Sequence, residues 1–215
     1  MVITKIYSAP PICKKEILRY AGYKSIEAAS DIESLLDECL EEILPKLSYK
    51  VCYMELPIHI EETLCDFGCM RVESQDLVKN LQGCEKVLLF AATIGVEIDR
   101  LIMKYGKISP TKAVIFQAIG AERIESLCDA FCEDMTAGCF RPRFSPGYGD
   151  LPLETQKEIF QVLGCSKCIG LTLNESLLMS PSKSVTAFAG IGNSKTNRKG
   201  HNCASCEKTD CAYRI

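Results

Sequence analysis

No stretch of the chain approaches the ~20 consecutive apolar residues that a membrane-spanning helix needs, so none is expected. Excess positive charge is also missing. The chain has 25 lysines and arginines against 28 acidic residues, with a net charge of −3 and a pI near 5.6. That balance argues against a nucleic-acid footprint, and neither a nucleic-acid nor a membrane partner is expected. Met1-Val2-Ile3-Thr4-Lys5 lacks the apolar core of a signal peptide, so a cytoplasmic location is expected. There is no internal repeat and no regular alternation of strand and helix. Two catalytic look-alikes lack their context. Cys65-Asp66-Phe67-Gly68-Cys69 has none of the other kinase signatures around it, and Gly190-Ile191-Gly192 has no helix pattern after it.

What is present is a chain of 215 residues, enough for one compact domain or two small lobes. Fourteen cysteines are many for this length. A secreted disulfide scaffold would be shorter and poorer in core residues. Cys39, Cys52, Cys84 and Cys128 sit inside apolar patterns, where a reduced thiol packs as a small hydrophobe.

Weak alternation over 2–7 predicts a strand, and 14–21 predicts a short helix ended by Gly22. From a Ser25 cap to about Leu47, apolar residues from Ile32 onward recur at helical spacing, with an acidic face opposite. Residues 49–60 favour one or two strands interrupted at Pro57, with His59 as a surface or hydrogen-bonded strand residue. A short helix is expected over 74–81. Val87-Leu88-Leu89-Phe90-Ala91-Ala92 is continuously apolar, which predicts a strand buried on both faces. A helix over 96–105 follows. Ser109-Pro110 then opens the longest helix, about 111–135, with a core stripe including Val114, Ala118, Ala121, Ile124, Cys128 and Phe131. Glu122, Glu125 and Asp129 lie at i, i+3 and i+7 and read as a solvated stripe, so Glu122→Gln should change little. Pro152 starts a helix to Leu163 that Gly164 ends, and 169–173 and 184–191 read as strands. The class expected is α+β: a twisted, mainly antiparallel sheet with flanking helices.

The stretch around which the chain is organised is Arg141-Pro142-Arg143-Phe144-Ser145-Pro146-Gly147-Tyr148-Gly149-Asp150. Prolines fix φ and glycines open conformations closed to other residues, so this is a shaped loop. Arg143 can fork onto a carboxylate, Gly147 admits a close backbone approach, and Tyr148 offers a flat face and a hydroxyl.

Arg143-x-x-Pro146-Gly147-Tyr148, the Pro152 helix, Leu173-Asn174-Glu175-Ser176 and Pro181-Ser182-Lys183-Ser184-Val185 follow one another in an order that resembles the activation module of cobalamin-dependent methionine synthase. The strong resemblance covers roughly 129–192. It implies the same fold class and an S-adenosylmethionine site used to remethylate an inactivated cobalt centre, a methyltransferase function in methionine biosynthesis. Carried over residue by residue, it implies ligand contacts from Arg143, Gly147 and Tyr148. Ser145 stands where the family has a small residue that touches the ligand through its backbone. Asp129 matches a helix glutamate of the family with one methylene fewer. Glu175 matches the family's glutamate motif and can order the loop. A family tyrosine after the small-residue strand has no counterpart here.

His201-Asn202-Cys203-Ala204-Ser205-Cys206 and Cys211 form a second constellation, outside the family's module. Three thiolates at Cys-x2-Cys-x4-Cys spacing suit zinc or an iron–sulfur cluster. His201 or the Cys165/Cys168 pair offers the fourth ligand. The organisation expected is an activation-like domain over 1–192, then a linker and a metal-binding tail over 193–215.

Neither histidine lies in the Asp-x-His-x-x-Gly context that ligates cobalamin. Cobalamin is therefore expected on a separate methionine synthase or other corrinoid protein, with a flavodoxin or ferredoxin as electron donor. The chain is then a reactivation accessory rather than a complete enzyme. The alternative is a metal-binding interaction module with a vestigial ligand pocket.

Overall fold

The computed structural model describes residues 1–23, 30–136 and 140–192. The linker and tail over 193–215 lie outside them, as does the proposed Ser25 cap. Four antiparallel strands make the central sheet in the order β1 (Ile3–Tyr7), β2 (Tyr49–Pro57), β6 (Lys86–Thr93), β9 (Ser184–Ile191). The α+β class expected from the sequence is the one observed.

Strand β6 shows why the sheet stands where it does. Its side chains alternate between two cores. Leu88, Phe90 and Ala92 enter one, while Val87, Leu89 and Ala91 enter the other. A strand with no polar face can only be central, so β6 lies between β2 and β9, with Phe90 opposite Tyr53 and Ala187.

The first core is roofed by helices α1 (Lys14–Tyr20), α2 (Ser30–Ile43), α4 (Glu97–Ile108) and α5 (Pro110–Thr136). Here Phe131 meets Phe90 at 4.8 Å and Tyr53 at 5.2 Å between ring centroids. The second core is covered by α3 (Gln75–Leu81), α6 (Thr155–Leu163), α7 (Cys165–Ile169) and a small sheet of β3 (His59–Glu61), β4 (Leu64–Asp66) and β5 (Arg71–Glu73). Phe67 of the kinase look-alike is a core residue stacked on Phe188 at 5.2 Å, and Asp66 accepts from the Gly68 amide to close the β4–β5 turn.

Several boundaries differ from expectation for local reasons. The helix expected to run to Leu47 ends at Ile43, because Pro45 cannot continue it and a 3-10 turn, Leu44–Lys46, follows. Ile169, expected to start a strand, instead ends a helical turn over 165–169 that is bounded by left-handed Gly164 and Gly170. The strand β7 is only Thr172–Leu173, paired with β8 (Met179–Ser180). Val114 is exposed, because Ile115, Phe116 and Ile119 supply the start of the α5 stripe instead. Cys39, Cys52 and Cys128 are buried as expected, but Cys84, beside the Gly83 turn, is only partly so. His59 is an exposed strand residue, its Nε2 3.0 Å from a Glu61 oxygen. Among the described residues no helix is long and apolar enough to cross a membrane.

The proline- and glycine-rich stretch 141–150 is positioned by the sheet's last edge. An unpaired edge on β9 would expose a row of backbone donors and acceptors. Residues 140–144 cover it: the Arg141 amide donates to the Gly190 carbonyl at 2.8 Å, and Phe144 and Phe188 exchange hydrogen bonds of 2.9 Å in both directions.

Candidate functional site

Once Phe144 is fixed on β9, the next residue inward along the chain, Arg143, points its guanidinium at α5. There Nη1 pairs with Asp129, and Nη2 pairs with Glu125 at 2.6 Å. Glu125 and Asp129 are one helical turn apart, so both carboxylates share one side of α5 and can grip one planar cation. The Arg143 side chain is only 19% exposed. Burial opposes its charge, but the two carboxylates outweigh that cost and hold its pKa above the ordinary arginine value. Beneath the guanidinium, burial pushes the Cys132 thiol up to about 11, so it stays protonated at neutral pH.

After Phe144 the chain turns back in a compact knot. The Tyr148 amide donates to the Ser145 carbonyl at 3.0 Å, the Gly147 amide to the Leu151 carbonyl at 2.9 Å, and the Leu151 amide to the Tyr148 carbonyl at 3.0 Å. Pro146 is buried beneath this knot. Gly147 sits at φ 90°, a conformation costly for residues with a Cβ, and this is what reverses the chain. Tyr148 is 57% exposed, with its ring edge-on to Phe144 at 6.1 Å. Along one covered sheet edge, the aromatic face and the turn of backbone thus lie beside the second core, and the paired guanidinium lies against α5. The arrangement can offer a flat platform, backbone polar groups and a charge pair to a ligand bearing a ring and a zwitterion.

Of the residues singled out in sequence, Asp129, Arg143, Ser145, Gly147 and Tyr148 are brought together here. Arg143 is already paired with two internal carboxylates, through Nη1 and Nη2. Glu175 lies apart, exposed in the β7–β8 turn. That turn is ordered by Asn174, whose Oδ1 accepts from the Leu178 amide at 2.9 Å. Glu122 is corrected outright. It is 3% exposed and fully engaged with buried Arg123, not part of a solvated stripe. Glu125 was legible only as one of three acids, since the helical period groups them but says nothing of which one meets Arg143.

The candidate metal ligands divide. Cys203, Cys206, Cys211 and His201 lie outside the described residues. Cys165 is fully buried beside the second core and Cys168 is half-buried, so Cys165 does not meet the surface where a tail ligand set would need it. Among the described residues no group of three or more His, Cys, Asp or Glu side chains is placed to hold a metal ion.

Fold and site together define an α+β protein with an arginine-anchored turn on a covered sheet edge. The fold is shared with a solved structure described as the MetH reactivation domain bound to AdoHcy. The TM-score is 0.63 over 92% of this chain and 80% of that one, at 14% identity. At that identity the likeness is one of fold. No family model matches the sequence, and no curated protein matches it significantly.

Proposed function

We propose that this protein binds S-adenosylmethionine at the Arg143–Tyr148 turn and supports the reductive remethylation of cobalamin carried outside these residues by a methionine synthase or other corrinoid protein. The observation that carries this reading is the turn itself. Arg143-x-x-Pro146-Gly147-Tyr148 lies anchored on the last sheet edge, in a fold shared with a reactivation domain bound to AdoHcy.

The residues suit the ligand's three handles. Arg143 takes the carboxylate by releasing Asp129. Asp129 is the more exposed of its two partners, 63% against 44% for Glu125, and so the cheaper to return to water. The freed Asp129 is then placed to take the ammonium group. Tyr148 and the backbone of Ser145 and Gly147 face the adenosyl part. Reduced cobalt on the partner supplies the nucleophile, the sulfonium supplies the methyl group, and this chain supplies position.

Calorimetry with S-adenosylhomocysteine tests the reading. The intact protein should bind, and Asp129→Asn should weaken binding by roughly tenfold, the worth of one charge-assisted contact, without moving the unfolding midpoint. No binding by the intact protein would favour the alternative, a metal-binding interaction module with a vestigial pocket.

The Cys203, Cys206 and Cys211 thiolates, with His201 or Cys168, are the ligands we assign to a separate metal site. An iron–sulfur cluster fits better than zinc, because reactivating oxidised cobalt consumes an electron that zinc cannot carry. Protein purified without oxygen should contain iron and acid-labile sulfide. One bound zinc, or three freely alkylated thiols, would remove the electron-transfer role from this tail.

A further inference from the structure

The turn is held at both ends by one short helix, and α3 has no role in the reading above. At its N-terminus the Asp150 carboxylate accepts from Ser74 Oγ, from the Gln75 amide at 2.8 Å and from the Asp76 amide at 3.2 Å. Ser74 is itself the N-cap, its hydroxyl accepting from the Leu77 amide at 3.0 Å. At the other end, Asn80 Nδ2 donates to the Pro142 carbonyl at 3.1 Å, and Arg141 Nη2 donates to the Gln82 carbonyl at 2.9 Å. The span from Arg141 to Asp150 is thus clamped to the length of α3. The close fit leaves no room at Gly149: a Cβ there would stand 2.4 Å from an Asp76 carboxylate oxygen, at φ 52°.

These contacts are made by the residues that bracket Gly147 and Tyr148, and every one comes from an element more than fifty positions away in sequence. None of them uses the Tyr148 ring or the Arg143 guanidinium. A loop can be shaped by its own prolines and glycines and still be placed wrongly by an ångström, which is enough to spoil a binding constellation. Here the placing is done from outside.

We infer that α3 is a brace for the ligand turn, and that Asp150 is a positioning residue that sets Gly147 and Tyr148 for an adenosyl ligand without touching it. This rests on the adenosyl reading of the turn. Releasing Asp150 frees the C-terminal end of the turn while the β9 pairing of Phe144 holds the other.

Two readouts test this. The first is amide hydrogen exchange, which needs no ligand. In Asp150→Ala the Gly147 and Leu151 amides should exchange roughly tenfold faster, the scale of a lost cap contact, while the Phe144 and Phe188 amides keep their wild-type rates. The second is S-adenosylhomocysteine affinity. It should fall roughly tenfold in Asp150→Ala and recover most of that in Asp150→Asn, whose amide oxygen still accepts from α3. Ser74→Ala weakens the helix cap but leaves two backbone donors on Asp150. It should lower the unfolding midpoint while affinity stays within about threefold of wild type. Unchanged exchange at Gly147 and Leu151 in Asp150→Ala would overturn the brace. So would affinities that simply track the unfolding midpoints of Ser74→Ala and Asp150→Ala. Absence of binding by the wild-type protein would instead overturn the adenosyl reading, and the exchange rates would still decide whether α3 braces the turn.

Discussion

Arg143→Ala is expected to weaken S-adenosylhomocysteine binding by a factor on the order of 100, about 3 kcal/mol, the scale for truncating one member of a hydrogen-bonded charge pair. The ligand carboxylate loses its bidentate partner, and Glu125 and Asp129 lose the cation that offsets their mutual repulsion on α5. Arg143→Lys keeps the charge but cannot present two parallel N–H groups to a carboxylate, so it should recover only part of the loss. The effect on folding should be modest. The two carboxylates are 44% and 63% exposed, and pairs so open to water contribute little to stability. Calorimetry and urea unfolding on the same variants separate the two terms. A Kd for Arg143→Ala within about threefold of wild type would place the ligand carboxylate elsewhere.

The largest effect on stability should come from Arg123, although it lies outside the turn. It is fully buried, and its Nε donates to Glu122 at 2.5 Å. Its Nη1 and Nη2 donate to the Pro10 and Pro11 carbonyls, both at 2.6 Å. Glu122 completes the knot by accepting from the Cys13 amide at 3.0 Å and from Ser126 Oγ at 2.9 Å. The pair therefore clips the Pro10–Cys13 segment, and with it α1, onto the long helix. Arg123→Ala would strand a buried carboxylate and two carbonyls, so urea unfolding should register a loss of about 3–5 kcal/mol. Domains of this size are stable by about 5–15 kcal/mol, so the variant would sit close to unfolding. Glu122→Gln, harmless if the stripe were solvated, should cost more than a typical surface change, because the cation then faces a neutral amide. Replacing both charged residues with apolar ones should cost less than the sum of the single changes. A loss below about 1 kcal/mol for Arg123→Ala would mean that solvent reaches the pair.

Variants of the two arginines should separate stability from ligand binding. Arg123 and Glu122 face the N-terminal segment, and Glu125 and Asp129 face the turn. One helix thus carries a buried charge pair and, less than two turns further on, the two carboxylates that pair with Arg143.

By itself the sequence determined the elements whose signal is local. The continuous apolar run of β6 could only be a central strand, because a strand without a polar face has nowhere else to go. The proline and glycine content of 141–150 required a shaped loop, and the order of motifs from Arg143 to Val185 pointed to the fold later found. Tertiary structure decided what depends on partners far along the chain. The helical period placed Glu122, Glu125 and Asp129 together, but burial depends on what packs above each. Pro10 and Pro11, more than a hundred positions away, close over Arg123 and its partner Glu122, while Arg143 returns eighteen positions later to Glu125. Asp150 carries no local sign of its role, because the Ser74 hydroxyl it binds is 76 residues distant. Hydrophobic periodicity is written into consecutive residues. The choice of ion-pair and capping partners is made only when separate elements meet, since each polar group must find its partner where the fold removes water.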